Sequence, residues 1–247
     1  MNPDILVVFT SYNNRHEVAL ASLYSMVYNT DMKFRLWIED SGSAFTTEEG
    51  IFCEQVQGFL GFYASGIAEK LILNNKNVGH SHPLNQMMAM ARLECKCGGI
   101  KPPDFVFETS DNMLYKHDWL KECYQTLLDC ENYPMHPAAI VSPFHCKNSD
   151  GVVAPDMHTV DWYTVNNDRI YEIKTFVSGN TWFMRGDMWL NFFDFYPTEK
   201  PSDGRDWQKL HKIHNAGYCC AVTPREMAYK HKDAIAGGKY DVRGHWH

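Results

Sequence analysis

Asp111 follows the apolar run Phe105-Val106-Phe107, with Glu108 three residues before it. Carboxylates at the C-terminal end of a strand can hold a hard divalent cation, which in turn grips diphosphate oxygens. An Asp in that place can equally cap a helix or open a turn. Asp40 stands before Ser41-Gly42-Ser43, where it can accept a hydrogen bond from a base ring or close an Asx turn on its own backbone. Asn77, Gly79 and Asn85 join a glycine that permits close backbone approach to amides that can bond sugar hydroxyls. They can also be no more than a loop and a helix start. Asp206 follows Gly204 and Arg205 at the head of a helical pattern, placed to complement the helix dipole or to serve as general base on an acceptor hydroxyl. His231, between Lys230 and Lys232, has the setting of a solvated loop histidine or of a ligand.

These side chains need elements to hold them. Ile5 to Phe9 reads as a strand that runs into Thr10-Ser11-Tyr12-Asn13 and then into a helix marked by Leu20, Leu23, Tyr24 and Val27. A strand ending in a polar loop at a helix start is where α/β sheets bind phosphorylated ligands. Further strands are predicted at Phe34–Glu39, Lys70–Leu73, Phe105–Phe107, Ala139–Ser142 and Cys219–Val222. Helices are predicted at Glu48–Tyr63, from Pro83 through Ala91, at Trp119–Leu128 and at Arg205–Asn215. After Pro143 the rhythm becomes loop-like and hairpin-like, with an apolar segment at Phe176–Phe183. Strands separated by helical patterns imply an α/β fold with a mainly parallel central sheet and helices on both faces.

Bulk composition narrows the function classes. A chain of 247 residues, 45% hydrophobic, can bury one sizeable core. Its net charge of −7 argues against a broad grip on nucleic acid, and suits anionic nucleotides held through a cation and backbone amides. No run of about 18 apolar residues is present, so no membrane-spanning segment is expected. The N-terminus lacks a signal-peptide pattern, which points to a cytoplasmic protein with reduced cysteines. The eight cysteines include Cys95 and Cys97, a pair that invites a zinc reading but lacks a second pair at ribbon spacing.

In their order along the chain these elements resemble the GT-A fold, and in particular the family-two glycosyltransferases. The resemblance rests on Val7-Val8-Phe9-Thr10-Ser11-Tyr12-Asn13; on Asp40, Gly42 and Ser43; on Asn77, Gly79 and Asn85; on the DXD-type Glu108-Thr109-Ser110-Asp111; on Trp119-Leu120; and on Asp206 heading a helix that ends near Gly217. It departs from the family pattern at Thr109, where the first acidic residue of DXD belongs, at Leu84, often Arg, and at Arg205, often Glu. The resemblance implies an inverting, cation-dependent transferase acting on a nucleoside-diphosphate sugar. Thr10, Ser11, Tyr12, Asn13, Asp40, Asn77, Gly79, Asn85 and Ser110 would hold the nucleotide. Asp111, with Glu108 and His231, would hold Mn2+ or Mg2+. Asp206 would be the base, and Gly179, Asn180 and Trp182 would lie toward the acceptor. Residues 1–142 would form the nucleotide-sugar half of a single domain, 143–233 the acceptor half, and 234–247 a tail.

The acceptor is open to a glycan, a metabolite, a protein or a nucleic-acid base. Two rival functions share the fold: a non-catalytic nucleotide or sugar binder, and a nucleotidyltransferase. The latter is disfavoured because Thr10 to Arg15 contains no glycine to form a phosphate loop.

Overall fold

The computed structural model describes residues 2–11, 16–42, 53–75, 81–145, 159–165, 169–178, 181–193 and 205–231, without the side chains of His16, Arg205, Asp206 and Trp207. Nine of its strands form one sheet. They are β1 (Ile5–Ser11), β2 (Arg35–Asp40), β3 (Lys70–Leu73), β4 (Phe105–Ser110), β6 (Ala138–Ser142), β7 (Thr159–Val165), β8 (Arg169–Lys174), β9 (Thr181–Arg185) and β10 (Cys219–Val222). Their order is β3-β2-β1-β4-β9-β6-β10-β8-β7. All but β8 and β9 run the same way, so the sheet is mainly parallel in strand direction, as expected. Two short strands, β5 (Met113–Tyr115) and β11 (Ala228–Lys230), pair separately. Three-residue strands carry no readable alternation, which is why the sequence did not show them.

β1 is buried along its whole length. That is the mark of a central parallel strand covered on both faces. Successive residues then alternate between two cores. Ile5, Val7 and Phe9 join the helices α1 (His16–Tyr28), α2 (Glu54–Ala64) and α4 (Trp119–Cys130) on the first face. Leu6 and Val8 join α3 (Ser81–Cys97), a π-turn at Met188–Phe192 and α5 (Arg205–Asn215) on the second. Trp119 anchors the first core: its ring lies 4.7 Å from those of Phe107 and Tyr115, and its Nε1 donates to Met26 O at 2.9 Å. The buried residues of α3 include Leu84, Met87, Met88 and Ala91, the stripe its periodicity predicts. No described helix is long and apolar enough to cross a membrane.

The strands run further into polar sequence than predicted. β1 reaches Ser11, β2 reaches Asp40 and β4 reaches Ser110. Asp40 is not a turn residue but the last rung of β2, in register with Ser11 and Leu73. A ladder is made by backbone groups, so it continues past the last apolar side chain wherever the neighbours also continue. The predicted start of α2 at Glu48 lies outside the described residues.

Gly186, just after β9, is packed so closely that an added Cβ would sit 1.9 Å from the carbonyl oxygen of Pro103. In Gly61, inside α2, it would meet nothing within 4 Å. Gly186→Ala is therefore expected to lower unfolding free energy by about 1–3 kcal/mol, and Gly61→Ala to raise it by about 0.4–1 kcal/mol. Urea denaturation of the two variants checks both signs.

Candidate functional site

The C-terminal ends of β1, β2 and β4 lie side by side, and their backbones stay tied beyond the ladder. Asp111 N donates to Thr10 O at 3.1 Å, Ser41 N to Ser11 O at 2.7 Å, and Asn74 N to Asp40 O at 3.0 Å. Thr10 Oγ1 adds a bond to Thr109 O at 3.2 Å. On the first face a side-chain network runs along this edge. Ser11 Oγ donates to Asp111 Oδ2 at 2.7 Å. Gln55, from α2, donates through Nε2 to Ser11 Oγ at 2.6 Å and to Asp40 Oδ1 at 3.1 Å. All four residues are buried.

The second face carries different groups. Glu39 is fully buried, accepts a hydrogen bond from Asn74 Nδ2 on Oε1, and has no partner for Oε2 among the described residues. Burial, reinforced by the neighbouring Asp40 charge and only partly offset by the Asn74 bond, pushes its carboxyl up to about 9. Glu108 also leaves β4 on this face. Its Oε1 accepts from Trp189 Nε1 at 2.6 Å. Trp189 belongs to the π-turn, a helical irregularity common at functional sites. Arg92 of α3 ties that turn down, donating to Leu190 O and Phe193 O at 2.7 Å each.

The other predicted residues fall as follows. Ser110 Oγ donates to Asn112 Oδ1 at 2.9 Å, directly after the β4 edge. Asn85 is half-buried in the second turn of α3. His231 is brought to the same edge by β11: its backbone N donates to Asn112 O at 2.8 Å, one residue beyond Asp111. Asp206 is the second residue of α5. It stands three, four and seven positions before the buried Lys209, Leu210 and Ile213. Trp182 is fully buried in the second core, in register with Glu108, and so offers no surface to an acceptor in this structure. Tyr12, Asn13, Asn77, Gly79, Gly179 and Asn180 lie outside the described residues.

One group of three ligand-type side chains with atoms within 4.8 Å of one another occurs among the described residues: Asp31, His117 and Asp118. It is not the expected Asp111 set. Asp118 N bonds Asn29 O, the residue just after α1. Cys95 and Cys97 belong to no such group among the described residues, and the seven described cysteines are free.

No protein-family model matches the chain, and no curated protein matches its sequence. Its structure does match solved ones. TarS of S. aureus, residues 1–349, superposes with a TM-score of 0.62 over 92% of this chain and 60% of that one, at 15% identity. The same protein in complex with UDP-GlcNAc gives 0.61, over 92% of this chain and 57% of that one. GalNAc-T7, solved with UDP, GalNAc and Mn2+, gives 0.61 over 94% of this chain and 45% of its own, at 12% identity. The fold is that of the GT-A glycosyltransferases. The chain spans between 45% and 60% of the length of these three structures.

The Glu39 carboxyl yields a pH test. It stays protonated in the folded protein while the unfolded chain ionises above 4.5. Between 4.5 and about 9 folding therefore loses stability with rising pH, by up to about 1.4 kcal/mol per unit from this group. Glu39→Gln removes the titration. Its stability relative to wild type is expected to climb with pH across that window, measured by chemical denaturation at pH 5 to 8; parallel profiles would refute the neutral carboxyl.

Proposed function

We propose that this protein transfers a sugar from a nucleoside-diphosphate donor to an acceptor hydroxyl with inversion at the anomeric carbon, and that it requires a divalent cation to do so. The observation that carries the reading is the buried network at one sheet edge in which Asp40, Ser11 and Asp111 are oriented together. Structures of the same fold bear UDP-GlcNAc, or UDP with Mn2+.

In this reading Thr10 to Asn13, Asp40, Asn77, Gly79, Asn85 and Ser110 line the nucleotide, with Asp40 toward the base. The donor set for a hard cation is Asp111, a buried carboxylate already oriented by Ser11, together with His231, which β11 delivers beside Asn112. Glu108, engaged by Trp189, supports the edge from behind. When bound, Mn2+ or Mg2+ supplies positive charge against the leaving diphosphate. Asp206 accepts the proton of the acceptor hydroxyl, whose oxygen bonds the anomeric carbon on the face opposite the departing diphosphate oxygen. Single displacement of this kind inverts the centre. Gly179 and Asn180 flank the acceptor.

Two substitutions separate these roles. Asp206→Asn is expected to lower release of nucleoside diphosphate from a panel of UDP-sugars by about 10²–10⁴-fold, while UDP affinity stays near wild type. Asp111→Asn is expected to lose the part of UDP affinity that depends on Mn2+. Turnover unchanged in Asp206→Asn would remove it as the base. UDP bound by the wild type without turnover across varied acceptors would favour a non-catalytic binder.

A further inference from the structure

Gln55 stands outside the roles assigned above. It sits on the buried stripe of α2 with Phe59 and Phe62, and its side chain reaches two strand ends at once. An amide nitrogen has two N–H donors and no acceptor capacity. One proton goes to Ser11 Oγ at 2.6 Å and the other to Asp40 Oδ1 at 3.1 Å. The reversed amide would set its carbonyl oxygen against the Asp40 carboxylate, acceptor against acceptor, so the partners fix its orientation. Ser11, already accepting on Oγ, gives its single proton to Asp111 Oδ2 at 2.7 Å.

We infer that Gln55 is a positioning residue that joins Asp40 and Asp111 into one hydrogen-bonded unit, so that the groups facing the nucleoside and diphosphate ends of the donor are set together. This rests on the donor-site reading above. Two carboxylates buried at the ends of strands on either side of β1 repel each other and have lost water. A neutral amide and a hydroxyl give each of them a donor without adding charge. Because every bond in the bridge points toward a carboxylate, a change at one end alters what the other receives.

The test uses the whole chain. Thermal unfolding is measured for Asp40→Asn, Asp111→Asn and the double variant, each in the wild-type and in the Gln55→Met background; methionine keeps the length of the side chain and has no donor. The shifts are expected to be non-additive in the wild type and additive with Gln55→Met. Calorimetry is expected to show Gln55→Met weakening UDP binding in the presence of Mn2+ roughly 10-fold or more, and shrinking the gain in UDP affinity that Mn2+ confers. Should Gln55→Met fail to fold, Ser11→Ala cuts the same link and carries the same expectations. Additive shifts in the wild type overturn the inference whatever UDP does. An undiminished Mn2+ gain in Gln55→Met overturns the positioning role. Non-additive shifts in a wild type that binds no UDP overturn the donor-site reading, and the positioning role with it, and leave the bridge a structural one.

Discussion

Ser11 carries one hydroxyl proton, and the strand ends are arranged around where it goes. Gln55 occupies the acceptor side of the hydroxyl, so the proton is committed to Asp111. The commitment is possible only because β1 lies between β2 and β4 with Ser11 in register with Asp40 and Thr10 in register with Ser110. Shifting either register by one residue would send the side chains to the wrong face and leave buried carboxylates without donors, at a cost of several kcal/mol. The apolar ladder of β1, sealed on both faces, is what holds that register.

The rest of the fold presents this edge from two sides. On the first face, α1, α2 and α4 build the core that carries Gln55 into place. On the second, α3, the π-turn with its Trp189, and α5 pack over Trp182, and Arg92 spends its donors on the carbonyls that the π-turn leaves open. β9, running against its neighbours, inserts between β4 and β6 and stitches the two halves of the chain into one sheet. β11 then returns across Met113–Tyr115 and brings His231 to Asn112. Residues far apart in the chain thus meet at one sheet edge.

Much of this was legible in the sequence. The apolar runs gave the parallel strands, and Lys70–Leu73, Arg205–Asn215 and Cys219–Val222 fall where predicted. Asp40 and Asp111 could be singled out because carboxylates after apolar runs are conspicuous. What stayed hidden depends on parity and on distant partners. Glu39 precedes Asp40 by one residue, so strand alternation puts it on the other face, dry and neutral. Glu108 was read beside Asp111 by proximity in sequence, and the sequence gives no sign of the bond it accepts from Trp189, 81 residues away. A signal for Gln55 did exist: it is a polar residue four and seven positions before Phe59 and Phe62 on an apolar stripe, a place where a buried amide must find partners.

The most direct measurement is a crystal structure with UDP and Mn2+ soaked in. The account predicts the cation bonded to the Asp111 carboxylate, the base within hydrogen-bond distance of Asp40, and Asp206 facing the diphosphate across the same crevice. UDP bound elsewhere, or Asp111 and Asp206 on separate surfaces with the nucleotide in contact with only one of them, would contradict it.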